Sequence, residues 1–312
     1  MIKRVIFLLI FIIFLISIVS AEIIIQNQPN KVYNLGDTLT ISATVKSLTS
    51  ATDTLYMDLI CEGQSVNFYK NGVSLSSGEE KKVEASLIFT KNLIGEIKGK
   101  CKVKGTFKGD YVLTDEFSVS NKITLSPDPN NTIFTPGIPA LIKGSALNEN
   151  GEPANGFIDL RVIEGGSILL SKHDTINNGF FSINVNFPED IRAGRYLLEL
   201  SAYEEEPGDT INEKTNLGFT AYNVDVTQVP TSLEIIFDKE VAPGTNAKIK
   251  TILHDQTGKN INLMAKITVK DDKQRIIEQT EKATDEYLEV PIVYNQKSSV
   301  WEIYAEFNSL TA

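Results

Sequence analysis

The chain has 312 residues, 42 % of them hydrophobic and 22 % charged, and a formal net charge of −10. Its length suits two or three domains of about 100 residues, with enough apolar content for real cores. An acidic chain without a basic stripe has nothing to displace counterions from a duplex, so nucleic acid is not an expected partner.

The first 21 residues read as a secretory signal rather than as part of the fold. Lys3 and Arg4 form a positive n-region, and Val5 to Val19 form an apolar h-region. Val19-Ser20-Ala21 is a small-residue cleavage site ahead of Glu22. The apolar run is shorter than the ~20 residues of a spanning helix, which favours cleavage over an uncleaved signal anchor. Either outcome exports the chain to the extracellular space or cell surface by the Sec-type route. Membrane contact is then expected only through this segment or through an anchor beyond the sequence.

After Glu22 the sequence repeats itself. The turns Leu35-Gly36-Asp37, Pro136-Gly137-Ile138 and Pro243-Gly244-Thr245 recur at intervals of roughly one domain. Each is followed by apolar residues at every second position: Leu39, Ile41, Ala43, Val45; then Ile142 and Ala146; then Ala247, Ile249, Leu253. A second alternating strand keeps the same register in all three: Met57, Leu59, Cys61; Ile158, Leu160, Val162; and Ala265, Ile267, Val269. A third begins at Gly95-x-Ile97-x-Gly99-x-Cys101, at Gly194-x-Tyr196-x-Leu198 and at Ser299-x-Trp301-x-Ile303. Period-two strands separated by turn signals, without an amphipathic helix, predict an all-β chain of tandem immunoglobulin-like β-sandwich domains. The expected domains are 22–121, 122–226 and 229–312. Ser126-Pro127-Asp128-Pro129 and Gln228-Val229-Pro230 are read as semi-rigid junctions. The first two domains continue with a strand, Tyr111 to Val119 and Leu217 to Val224, that the run Asn308 to Ala312 does not match. The third domain is therefore expected to be incomplete: a truncated sequence, a tolerated loss, or an edge awaiting a donated strand.

Candidate chemistry is sparse. Cys61 and Cys101, the two cysteines, fall on inward-facing positions of an exported domain. A disulfide through the core of the first domain is expected, ahead of free thiols or half of a metal site. His173 and His254 are far apart in sequence and read as exposed turn residues. No His-x-x-x-His pair, Gly-x-Ser-x-Gly elbow or phosphate-cradling glycine loop occurs, so no catalytic residue or cofactor is nominated and no enzyme is expected. Glu204, Glu205 and Glu206, with Asp209, read either as a solvated acidic loop or as a calcium site. Asn130 heads a glycosylation sequon, and Trp301 shares the inward parity of Tyr196 and is expected in the core.

The second domain carries Asn150-Gly151-Glu152-Pro153 before Gly156-Phe157-Ile158, then Asn178-Gly179-Phe180-Phe181, Pro188 and Gly194-Arg195-Tyr196. These motifs resemble the bacterial immunoglobulin-like and macroglobulin-like repeats of prokaryotic, particularly archaeal, surface proteins. The third domain looks like a diverged copy and the first like a disulfide-bearing variant. The resemblance implies a sandwich at the cell surface and names no ligand. Tyr196 precedes Leu198 where antibody-type domains have a Cys, and no thioester Cys motif is present. The expected function is a non-catalytic stalk or adhesin-like segment with an unidentified protein or cell-surface partner. The alternative is the N-terminal arm of a larger macroglobulin-like protease inhibitor or surface enzyme, active beyond residue 312.

Overall fold

The computed structural model describes residues 21–91, 98–128, 132–206, 213–295 and 297–312. The expectations for residues 1–20, Gly95, Ile97, Asn130 and Asp209 lie outside the described residues. The fold is all-β, and among the described residues no helix is long and apolar enough to cross a membrane.

The first nine strands are β1 (Ala21–Ile25), β2 (Val32–Asn34), β3 (Thr38–Ser47), β4 (Ala51–Cys61), β5 (Gln64–Leu75), β6 (Glu80–Ile88), β7 (Gly99–Phe107), β8 (Asp110–Leu113) and β9 (Phe117–Ser120). They form a three-stranded sheet, β1-β3-β6, and a larger one, β2-β9-β7-β4-β5, with β8 also on β7. The next eight are β10 (Ile123–Pro127), β11 (Ile133–Phe134), β12 (Ala140–Asn148), β13 (Gly156–Glu164), β14 (Ser167–Ile176), β15 (Phe180–Val185), β16 (Gly194–Glu206) and β17 (Glu213–Val226). Their sheets, β10-β12-β15 and β11-β17-β16-β13-β14, repeat the strand order of the first arrangement, without a separate counterpart of β8. The last are β18 (Pro230–Phe237), β19 (Asn246–Asp255), β20 (Asn260–Ile261), β21 (Met264–Lys270), β22 (Ile276–Ala283), β23 (Tyr287–Pro291), β24 (Glu302–Phe307) and β25 (Leu310–Thr311). Here β19 pairs with β18, β20 and β23, and the second sheet runs β22-β21-β24-β25.

Alternation explains how each pair of sheets closes on a core. Successive side chains on a strand face opposite ways, so the period-two apolar residues line one face. Leu39, Ile41 and Val45 from one sheet meet Leu55, Met57, Leu59 and Val103 from the other, all 0 % exposed. A second cluster gathers Ile142, Ile158, Leu160, Val162, Leu198 and Leu200, and a smaller third one gathers Ala247, Ile249, Ile267, Val269 and Val290. We call the three sets of strands, each with its own core cluster, the first, second and third units. Tyr196 is buried and its hydroxyl donates to Arg192 O at 2.6 Å. This is the tyrosine-corner geometry of Greek-key sandwiches, reached without the antibody cysteine.

Four expectations are corrected. Cys61 and Cys101 form the disulfide, but they are direct partners on β4 and β7, with Cα atoms 4.2 Å apart. The bridge staples neighbouring strands on the core face of one sheet rather than crossing the core, because those two strands are adjacent. Pro127 and Pro230 are not in linkers; they lie in β10 and β18, both edge strands, where a missing N–H leaves no gap in a ladder. The single strand expected over Tyr111 to Val119 is broken into β8 and β9, with Thr114 between them bonded through backbone and side chain to Val103. The run after Phe307 does form a strand: Leu310–Thr311 folds back on β24, and Ala312 exchanges two backbone bonds with Ala305.

Closing a loop with a sequence separation of 40 stabilises by about 4 kcal/mol on the chain-entropy estimate. Reductant should therefore lower the melting transition that contains the first unit. Trp301, the single tryptophan, lies in the third unit and reports its unfolding separately by fluorescence. Equal shifts in both signals, or a first-unit transition untouched by reductant, would contradict this assignment.

Candidate functional site at the junctions between units

Buried polar groups must find partners, so a cluster of them marks a place where more than packing is at stake. Asn34 and Asn216 are both 0 % exposed and meet where the first unit joins the second. Asn34 ends β2, immediately before the turn in which Gly36 takes φ 97°, a conformation that disfavours any side chain. Asn34 Nδ2 donates to Lys122 O at 3.1 Å, and Asn34 Oδ1 accepts from Asn150 N at 3.0 Å. Asn150 Nδ2 donates to Asp37 Oδ2 at 2.7 Å. Asn216 Nδ2 donates to Leu35 O at 2.8 Å while its Oδ1 accepts from Leu35 N at 3.3 Å. One side-chain amide thus pairs with both backbone groups of a residue in the neighbouring unit, as a strand would.

The acidic run holds this arrangement. Glu204 Oε2 accepts from Asn216 Nδ2 at 2.6 Å and Glu204 Oε1 accepts from Asn155 N at 2.7 Å. Glu206 Oε1 accepts from Lys91 N at 3.0 Å, and Glu213 pairs with Lys91 Nζ at 3.5 Å. Glu204, Glu205 and Glu206 are consecutive on β16, where the register shifts between Tyr203 and Glu205; Glu204 is held by Asn155 and Asn216 and Glu206 by Lys91, so the three do not converge on one point. Among the described residues no group of three or more His, Cys, Asp or Glu could hold a metal ion.

The second junction reuses the same turn. Gly151 N donates to Asn148 O and Gly258 N to Asp255 O, both at 2.9 Å, and in each turn the N–H of the first residue, Asn148 or Asp255, donates to the carbonyl of the fifth, Glu152 or Lys259. In the later turn Gln256 Nε2 donates to Ile191 O at 3.0 Å and to Thr227 O at 3.2 Å, and its Oε1 accepts from Val229 N at 2.8 Å. Gln228 Nε2 donates to Asp255 Oδ2 at 2.8 Å. Burial alone would raise the Asp255 pKa. Hydrogen bonds from Gln228, from the Thr257 side chain and backbone, and from the Lys259 backbone outweigh it and hold the carboxyl down at about 2.

A cleft of about 500 Å³ opens in the third unit, lined by Phe237, Val241, Ile249, Ile292, Trp301 and Ile303. The glycine turns establish what stands there elsewhere: Gly36 N donates to Phe89 O, Gly137 N to Phe187 O and Gly244 N to Ile292 O. In the first unit Phe89 packs with Tyr33 and with Phe117 of β9, at 5.2 and 6.3 Å between centroids. In the second, Phe187 packs on Phe134 at 4.9 Å. The corresponding layer of the third unit has the smaller Val241 and Ile292, and Trp301 is half-buried at its rim, one residue before β24, rather than sealed in the core.

The histidines lie in strands, not turns, and are not brought together. His173 on β14 sits with Nδ1 2.7 Å from Asp159 Oδ1 and its ring stacked on Phe157. His254 near the end of β19 has Nδ1 3.2 Å from Gly258 O. Of the junction residues, Asn150 and Gln256 were read from sequence only as members of polar turns, and Asn34 and Asn216 were not singled out. For Asn34, Asn150 and Gln256 the available signal was an amide near a glycine turn, which reads equally well as turn chemistry; Asn216, inside β17, carried none.

No protein-family model and no curated protein matches the chain. Among solved structures, a tetra-tandem repeat in the extending region of a large adhesion protein is 13 % identical, covering 94 % of this chain and 72 % of that one, with a TM-score of 0.36. A β-glucosidase from Listeria innocua is 20 % identical over 32 % of this chain and 16 % of its own, with a TM-score of 0.28. The alkylpurine DNA glycosylase AlkC of Pseudomonas fluorescens is 21 % identical over 32 % of this chain, with a TM-score of 0.27. The chain covers only a small part of the glucosidase and glycosylase chains, 16 % and 31 %. At these values the likenesses carry no functional argument.

Asp255 has a depressed pKa, so its contribution to stability is full above the ordinary value of 3.8 and is lost as pH falls through about 2. Trp301 fluorescence melts should show the third unit weakening across that window. Asp255→Asn should destabilise the unit at neutral pH and flatten its acid dependence. An unchanged acid profile in the variant would remove Asp255 from the account.

Proposed function

We propose that the chain is an exported, non-catalytic segment in which three immunoglobulin-like domains are joined in a set succession as a stalk or adhesin-like region of a cell-surface protein. The observation that carries this reading is where the buried polar side chains go. Asn34 and Asn216, with Glu204 behind them, are fully engaged in joining one sandwich to the next rather than in lining a substrate pocket. An active site needs convergent polar groups left free for a reactant, whereas a spacer needs its orientation-setting bonds at the ends of its domains. The n-region, h-region and cleavage site at the start of the sequence support export, and the net charge of −10 supports solubility rather than association with anionic surfaces.

Protease added to intact cells of the native host should degrade the chain without lysis, as followed by immunoblot against the first two domains. A chain protected until the cells are broken would overturn the cell-surface reading.

A further inference from the structure

The two junctions differ in how they are held, and the difference has a mechanical consequence. Across the first, bonds come from three separate elements of the second unit. The entry segment contributes Lys122 O to Asn34, and the turn after β12 contributes Asn150 to Asn34 and Asp37. The β16–β17 hairpin contributes Asn216 to Leu35 and Glu206 and Glu213 to Lys91. On the first unit the attachment points are likewise spread over Asn34–Asp37 and Lys91. Attachments that do not lie on one line fix a body against rotation about every axis. Across the second junction, among the described residues, the side-chain bonds come from one turn: Gln256 to Ile191 and Thr227, and Asp255 and Gln256 to the connecting Gln228 and Val229. A single point of attachment leaves rotation about that point opposed only weakly.

We infer that the first two units are clamped into one rigid body by the Glu204–Asn216–Leu35 contact and its neighbours, and that the chain bends at Thr227–Val229. Glu204 is a positioning residue in this scheme. Its carboxylate accepts the Asn216 N–H that is not directed at Leu35, so the amide cannot rotate away. Lys122 pairs with Leu217 in an isolated bridge, which further ties the entry segment to the second unit. The acidic run that invites a cation-site or solvated-loop reading is thereby assigned to domain docking. The inference holds wherever the chain acts, so its test is independent of the protease experiment.

The test measures interspin distances in the full exported chain with its native disulfide intact, using pairs of exposed strand residues changed to cysteine. Ser65→Cys with Ser171→Cys spans the first junction, and Ser171→Cys with Glu281→Cys spans the second. The expected result is one narrow distance distribution across the first junction and a broad one across the second. Asn216→Asp sets a carboxylate against both Glu204 and the Leu35 carbonyl, and should broaden the first distribution to resemble the second while circular dichroism keeps its β-sheet signal. Should that variant fail to fold, Glu206→Lys, which repels Lys91 from a partly exposed position, should give the same broadening. A broad first distribution in the unaltered chain, equal widths at the two junctions, or a first distribution unmoved by Glu206→Lys together with a folded Asn216→Asp would overturn the inference.

Discussion

A side-chain amide that pairs with both the N–H and the C=O of one backbone residue does the work of a short piece of β-ladder, and the relation between the first two units depends on such a pairing. Asn216 reaches Leu35 in this way, at 2.8 Å through its donor and 3.3 Å through its acceptor. Asn216 is fully buried, so disrupting the pair leaves its amide with fewer partners, and a buried polar atom left unsatisfied costs about 1–3 kcal/mol. The contact is therefore stronger as a constraint on orientation than its net contribution to stability implies. Glu204 converts it from a contact into a fixed one by holding the remaining amide hydrogen.

The same economy of parts runs through the chain. A turn that follows the second and third glycine signatures, closed by a glycine N–H on the carbonyl three residues earlier, serves as the docking element of the second and third units. In the second unit it offers Asn150; in the third it offers Gln256, one position earlier in the turn and with a longer side chain. The turn backbone is common, and the amide it carries selects what it touches. That division lets similar sandwiches be joined with different stiffness without changing the fold of any of them.

Core packing follows a related logic. Two units place aromatic rings where the sandwich closes below the glycine turn, Tyr33 with Phe89 and Phe134 with Phe187. The third uses Val241 and Ile292 there, and a cleft with Trp301 at its rim is the result. The first unit adds a covalent tie between adjacent strands, while the second sets its corner with the Tyr196 hydroxyl on Arg192 O. Equivalent topologies are thus stabilised by a disulfide, by a tyrosine corner, or by aliphatic packing around a partly open cleft.

By itself the sequence determined the all-β architecture and the inward faces of its strands, and made a disulfide between its two cysteines the expected state. The physical reason is that a strand's side chains alternate with a period of two, so Leu39, Ile41, Ile158 and Ile267 declare their face without reference to anything distant. The edge positions of Pro127 and Pro230 were not legible, because a proline reads alike in a linker and on an unpaired edge. The meaning of Asn34, Asn216 and Glu204 was decided only by the tertiary structure. Asn34 and Asn216 are separated by 182 residues, and hydrogen-bonding capacity carries no periodicity, so nothing in the linear pattern records which amide will meet which backbone. Only the packing of one sandwich on the end of another brings them together and turns an acidic stretch that reads as solvated into the support of a junction.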